Sequence, residues 1–182
     1  MTVNESNTSV LTTLAGERAD LLAALAKNRF FLRNTARGLT DEQAAVRTTV
    51  SELCLGGLIK HVTAVERGWA AFIVEGAAAI EDPAAETERG RKEREDGFRM
   101  LPGETLEGVL GAYEEAARAT DDLVRTVPDL DRTWPLPEAP WTEPGAAWSV
   151  RGVLLHIIAE TAQHAGHADI LRESLDGAQS MA

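Results

Sequence analysis

A chain of 182 residues, 44% of them hydrophobic, suffices for one domain with a real core. Its net charge of −11 excludes the basic footprint that nucleic acid requires, and its single cysteine, Cys54, excludes an internal disulfide. No apolar run is long enough to span a membrane, and Met1 to Ser9 lacks the basic start and apolar stretch of a signal peptide, so the expected location is the cytoplasm.

Alanine and leucine dominate over aromatic residues, which favours helices. The first predicted helix runs from about Leu11 to Arg37, with Leu14, Leu21, Leu22, Leu25 and Phe31 near helical spacing. Gly38 stops it, and Thr40-Asp41-Glu42-Gln43 starts a short helical turn. The second long helix begins near Ser51, a good N-cap, and ends around Gly76. Leu55, Leu58, Val62, Val65, Trp69 and Phe72 form its apolar stripe. Cys54, between Leu53 and Leu55, reads as a small buried apolar residue, with a catalytic thiol as the alternative.

Residues 77 to 103 hold Pro83, Pro102 and a mixed charge run from Glu86 to Asp96. They read as a long connection with some helix, and the charges as a solvated face. The third long helix spans about Glu104 to Val127. After it, Pro128, Pro135, Pro137, Pro140 and Pro144 make a second long connection that carries Trp134 and Trp141. The last helix runs from Ser149 to about Leu175 and stops near Gly177. Four amphipathic helices in one domain predict an all-α four-helix bundle over residues 1–182, with 1–9 and 177–182 as flexible tails.

Three of the four histidines, His156, His164 and His167, share one stripe of the last helix with Glu160. At 1.5 Å per residue the stripe is about 16 Å long, so one ion can take only an adjacent pair. A further ligand must come from elsewhere, and His61 is the candidate. It sits beside the apolar face of the second long helix, flanked by Gly56, Gly57 and Gly68. Glycines inside a helix cost about 1 kcal/mol each relative to alanine, which suggests a close approach by another backbone or a ligand. Two imidazoles and one carboxylate leave positions open for water or substrate. The plain alternatives are a hydrogen-bonded core histidine at position 61 and a surface pair at Glu160 and His164. For His156 the plain reading is a buried or rim histidine satisfied by a carbonyl, for Arg151 a surface arginine at a helix start, and for Asp169 and Arg172 an ion pair.

Two stretches resemble the DinB-like superfamily. Leu55-Gly56-Gly57-Leu58-Ile59-Lys60-His61 through Trp69 is similar to its second-helix motif. Trp148 to Asp169, with the pattern Glu160-Thr161-Ala162-Gln163-His164-Ala165-Gly166-His167-Ala168-Asp169, is similar to its last helix in the actinobacterial branch. The resemblance implies a divalent metal between these helices, held by His61, Glu160 and His164. Zinc is the first expectation, with nickel, iron and manganese as the others. Many relatives have histidine where Glu160 stands, and the glutamate form resembles the mycothiol-dependent maleylpyruvate isomerases. Many relatives also have glutamine where His167 stands.

The resemblance further implies an S-transferase or isomerase that uses mycothiol or a similar thiol on an electrophilic small molecule. His167 is then the acid or base, and the loop with Trp134 and Trp141 helps form the substrate pocket. It also suggests a homodimer, although no apolar surface stripe marks an interface. The competing functions are a non-catalytic bundle that binds a metal or small ligand or serves as a dimeric interaction protein, and a metal-dependent hydrolase on the same ligands.

Overall fold

The computed structural model of the chain describes residues 16–80, 87–137 and 142–180. Among the described residues there are six α-helices: α1 (Glu17–Thr35), α2 (Asp41–Ala45), α3 (Leu55–Glu75), α4 (Glu88–Gly97), α5 (Leu106–Thr126) and α6 (Val150–Asp176). A 3-10 turn, Gly76–Ala79, follows α3, and the short strands β1 (Thr133–Pro135) and β2 (Ala147–Ser149) pair between α5 and α6. The four long helices α1, α3, α5 and α6 form an all-α bundle, in which α1 packs mainly on α6 and α3 lies between α5 and α6.

Two core clusters fix the directions of the helices. One gathers Leu32, Leu58, Ile59, Val62, Val109, Tyr113, Ala168 and Leu171. The other gathers Leu21, Leu25, Phe72, Ile73, Val124, Val153, Leu154 and Ile157. The early parts of α3 and α5 lie in the first cluster and their late parts in the second, whereas α1 and α6 run the other way. Hence α3 and α5 are parallel to each other and antiparallel to α1 and α6. A parallel pair needs a long return between its members, which is why about thirty residues separate α3 from α5. No described helix is long and apolar enough to cross a membrane.

Polar side chains set the helix starts. At α2 the Thr40 hydroxyl accepts from Gln43 N–H while Gln43 reaches back to Thr40 N–H, a reciprocal cap. The hydroxyls of Thr105 and Ser149 accept from Gly108 and Gly152 and start α5 and α6. The last helix thus begins one residue after its expected start, with Ser149 as the cap, and Gly177, with φ of 78°, ends it.

Three expectations need correction. The second long helix starts at Leu55 rather than near Ser51. Ser51 uses its hydroxyl to accept from Leu53 N–H in a turn, and Cys54 caps the helix through Sγ, 3.4 Å from Gly57 N. The connection between α5 and α6 carries the β1–β2 pair, with Trp134 opposite Trp148. Arg172 pairs with Asp176 and donates to the carbonyls of Thr35 and Arg37, while Asp169 accepts from Ser180 N–H, so no Asp169–Arg172 ion pair forms. Residues 1–15, including the expected start of the first helix, lie outside the described residues, as does Trp141.

Candidate metal centre

His61 sits in the middle of α3, and Glu160 and His164 sit one turn apart on α6. Because α3 and α6 pack antiparallel, the three side chains converge, and each offers a ligand atom within 4.8 Å of the others. His164 Nε2 is 3.4 Å from Glu160 Oε2, and the His61 and His164 rings meet edge-on with centroids 4.8 Å apart. The cluster is neither sealed nor open: the side chain of His164 is 13% exposed and that of Glu160 28%.

Burial and charge prepare the imidazoles for ligation. Burial, reinforced by His164, pushes His61 down to about 4, against an opposing pull from Glu160. Burial also lowers His164, with Glu160 opposing and His167 reinforcing the shift. Both rings are therefore neutral at pH 7, the form that coordinates a cation. Two neutral imidazoles and a carboxylate, from two facing helices and within reach of one ion, fit a divalent metal of the zinc, nickel, iron or manganese kind.

The two outer histidines of α6 do different things. His167 is exposed, and its Nδ1 lies 3.4 Å from His164 Nδ1, on the ring edge away from Glu160. Among the described residues, His156 finds no carbonyl. Its Nε2 lies 3.8 Å from Glu160 Oε1, and its ring packs on Trp69 and Trp148, with centroids 5.0 and 4.9 Å away.

Phe98 belongs to the centre although the sequence did not single it out. Its ring stacks on His61 at 4.2 Å, with the planes 23° apart. Lys60, next to His61, draws this part of the connection onto α3: its ammonium donates to the carbonyls of Asp96 and Arg99 and to Glu104. Gly56 and Gly57 are the cue that was present, since a β-carbon on Gly57 would overlap the Phe98 carbonyl. Gly68 meets nothing within 4 Å, so the close-approach reading holds for the first pair only.

The remaining candidates serve the fold. Cys54 is buried and caps α3. Arg151 ties the start of α6 to Glu17 and Asp131. Trp134 lies against Gly76 and donates from its indole nitrogen to the Ile73 carbonyl at 3.1 Å, with Arg132 over its ring. It locks the end of α3, and it is Trp148, its partner across the strand pair, that reaches toward the histidines.

In fold the chain is similar to a conserved protein of Enterococcus faecalis known from its crystal structure. The two share 13% identity, the match covers 91% of this chain and 100% of that one, and the TM-score is 0.65. At that identity the likeness speaks for the fold alone. No curated protein matches the chain significantly in sequence. The sequence model of the mycothiol-S-transferase family, by contrast, matches residues 20–177, a span that takes in all four long helices but the first three residues of α1. The resemblance of the two motifs to the DinB-like superfamily, the all-α bundle and this match agree, and the chain belongs to the mycothiol-S-transferase family.

Proposed function

We propose that the protein is a metal-dependent enzyme that transfers a low-molecular-weight thiol of the mycothiol type to an electrophilic small molecule, or isomerises the molecule with the thiol's help. The observation that carries this reading is the convergence of His61, Glu160 and His164 within 4.8 Å in a chain of this family. A divalent ion held there would act as a Lewis acid and lower the pKa of a thiol at the site.

The side chains supply the rest. His61 and His164 stay neutral at pH 7 and each brings a ring nitrogen to the shared space, and Glu160 adds a carboxylate whose charge a divalent cation would offset. Phe98 covers one face of His61 and fixes the ring plane. His167 engages His164 through Nδ1, which leaves Nε2 to take the thiol proton and pass it to water. In a transfer, a sulfur lone pair forms the bond to the electrophilic carbon and the leaving group departs with its bonding pair. In an isomerisation, sulfur adds to a conjugated double bond, the resulting single bond rotates, and sulfur leaves again unchanged. Glu160 and His164 keep part of their side chains in contact with solvent, so neighbouring side chains do not seal the cluster, which favours catalysis over a sealed binding role.

The test is turnover by the zinc-loaded protein of mycothiol with 1-chloro-2,4-dinitrobenzene or with iodoacetamide. Thioether formation should exceed that of the His164→Ala variant by at least tenfold. Equal rates for the two proteins with both electrophiles would remove the reading.

A further inference from the structure

Beyond the three converging ligands, an aromatic wall stands on one side of the site. Trp69 and Trp148 come from different elements, α3 and β2, yet their rings stack with centroids 4.9 Å apart and planes 27° apart. His156 packs an edge against Trp69 and a tilted face against Trp148. The wall adjoins the cluster directly, since His156 Nε2 is 3.8 Å from Glu160 Oε1.

Helix direction puts all three groups on the same side. Trp69 follows His61 by eight residues along α3, and His156 precedes Glu160 by four along α6. The helices are antiparallel, so both steps lead toward the same end of the bundle. At 1.5 Å per residue the wall lies roughly 6 to 12 Å from the cluster along the axis, the length of one substituted ring.

Packing alone does not account for the wall. Phe72, one turn beyond Trp69, is fully buried, whereas both indoles and His156 keep part of their surface in contact with solvent. Trp134 spends its indole N–H on the Ile73 carbonyl; among the described residues, neither the Trp69 nor the Trp148 N–H has a protein acceptor. Electron-rich indole faces stack most favourably on flat, electron-poor partners, and a free N–H at the rim can donate to a nitro or carbonyl oxygen.

We propose that Trp69, Trp148 and His156 form the acceptor subsite, and that it selects flat, electron-poor electrophiles, such as activated aromatic rings and conjugated carbonyl compounds, over saturated ones. The choice of electrophile rests on the S-transferase reading, but binding to the wall does not, and the two are tested separately.

Binding is measured by calorimetry on the full-length protein with 4-nitrobenzyl alcohol and with cyclohexylmethanol, a flat and a saturated ring of similar size that do not react with thiols. The wild type should bind the flat ring at least tenfold more tightly. Trp148→Leu should abolish the preference, and Trp148→Phe, which keeps an aromatic face and guards against a folding defect in the first variant, should retain most of it. Equal affinities in the wild type, no binding of either ring, or a preference that survives Trp148→Leu would overturn the subsite. Turnover is then compared for 1-chloro-2,4-dinitrobenzene and iodoacetamide. In each, a carbon–sulfur bond replaces the carbon–halogen bond, halide leaves with the bonding pair, and the thiol proton passes to solvent. Trp148→Leu should raise KM for the aromatic chloride at least fivefold more than it raises that for iodoacetamide, and equal effects on the two would count against the subsite. Ring preference in binding without turnover of either compound defeats the transferase reading alone, and turnover without ring preference defeats the subsite alone.

Discussion

A β-carbon on Gly57 would come within 1.9 Å of the carbonyl oxygen of Phe98. That closeness lets the end of the α4 connection lie flat on α3 and sets the Phe98 ring on His61. Gly57→Ala should therefore destabilise the protein although alanine is the better helix former. The propensity gain is about 1 kcal/mol, whereas overpacking against a backbone that Lys60 holds in place costs about 1–3 kcal/mol and displaces Phe98. Gly68→Ala is the control, because nothing lies within 4 Å of a β-carbon there. It should stabilise by up to about 1 kcal/mol. Urea unfolding of the two variants gives opposite signs if the contact is as described, and the same sign if it is not.

Where sequence and structure part company, the reason is tertiary contact. Leu58, Val62, Phe72, Val153 and Ile157 announce α3 and α6 by their spacing, because each helix turns one stripe to the core. Ser149 and Gly177 mark the ends of α6 because caps are local chemistry. The same rule misled at Ser51, a stronger cap on paper than Cys54, because the burial of Cys54 and the packing of Gly57 decide where the helix can begin. The metal-type cluster was legible because Glu160 and His164 lie on one helix and the motif around His61 supplied the third member. Phe98 was not, since nothing local links it to a residue 37 positions earlier. Strands of three residues, the first of them ending on Pro135, have too little alternation to reveal the Trp134–Trp148 pairing.

The histidines make the metal-free protein sensitive to acid. The folded state holds His61 down at about 4, against an ordinary value of 6.5, because burial penalises its charged form. His156 and His164 are lowered as well, chiefly by burial. Between these values the unfolded chain binds more protons than the folded one, so stability rises with pH there and falls as pH drops from about 6.5 toward 4. Melting temperatures of the metal-free protein at pH 7.5, 5.5 and 4.5 should decline in that order. In His61→Asn the decline should be shallower, and an unchanged slope would mean that His61 is not the responsible group.

A second buried feature governs stability away from the cluster. Arg29 and Glu66, 6% and 1% exposed, form an ion pair between α1 and α3, and Arg29 also donates to Asp121 on α5 at 2.7 Å. Removing one partner strands the other charge in the core, so Glu66→Ala should cost about 3–5 kcal/mol. Arg29→Met combined with Glu66→Leu leaves no stranded charge at that pair and should cost less than Glu66→Ala alone, which is the reverse of additive behaviour. Chemical unfolding of the two variants decides it. If the double variant is the less stable, the pair contributes net stability and the desolvation argument fails.

Metal binding should appear as stability, independently of any turnover. An ion that binds the folded chain and not the unfolded one stabilises it by about 4 kcal/mol at a thousandfold excess over its Kd. For a domain of this length that is roughly 10 °C in melting temperature. Zinc added to the metal-free protein at pH 7.5 should raise the melting temperature by that order, and a chelator should reverse it. At pH 4 the shift should shrink, because His61, held down to about 4, then takes up a proton in competition with the ion. Glu160→Gln keeps the shape of the side chain and removes its charge, and should cut the shift by more than half. His164→Ala should abolish it, because that ring is one of the three groups converging within 4.8 Å. His167→Gln tests the boundary of the ligand set. His167 touches the cluster only through His164 Nδ1, so its loss should leave the zinc-induced shift nearly intact while lowering any thiol transfer. A shift that survives His164→Ala but vanishes in His167→Gln would move the ion one turn along α6 and assign the ligands differently.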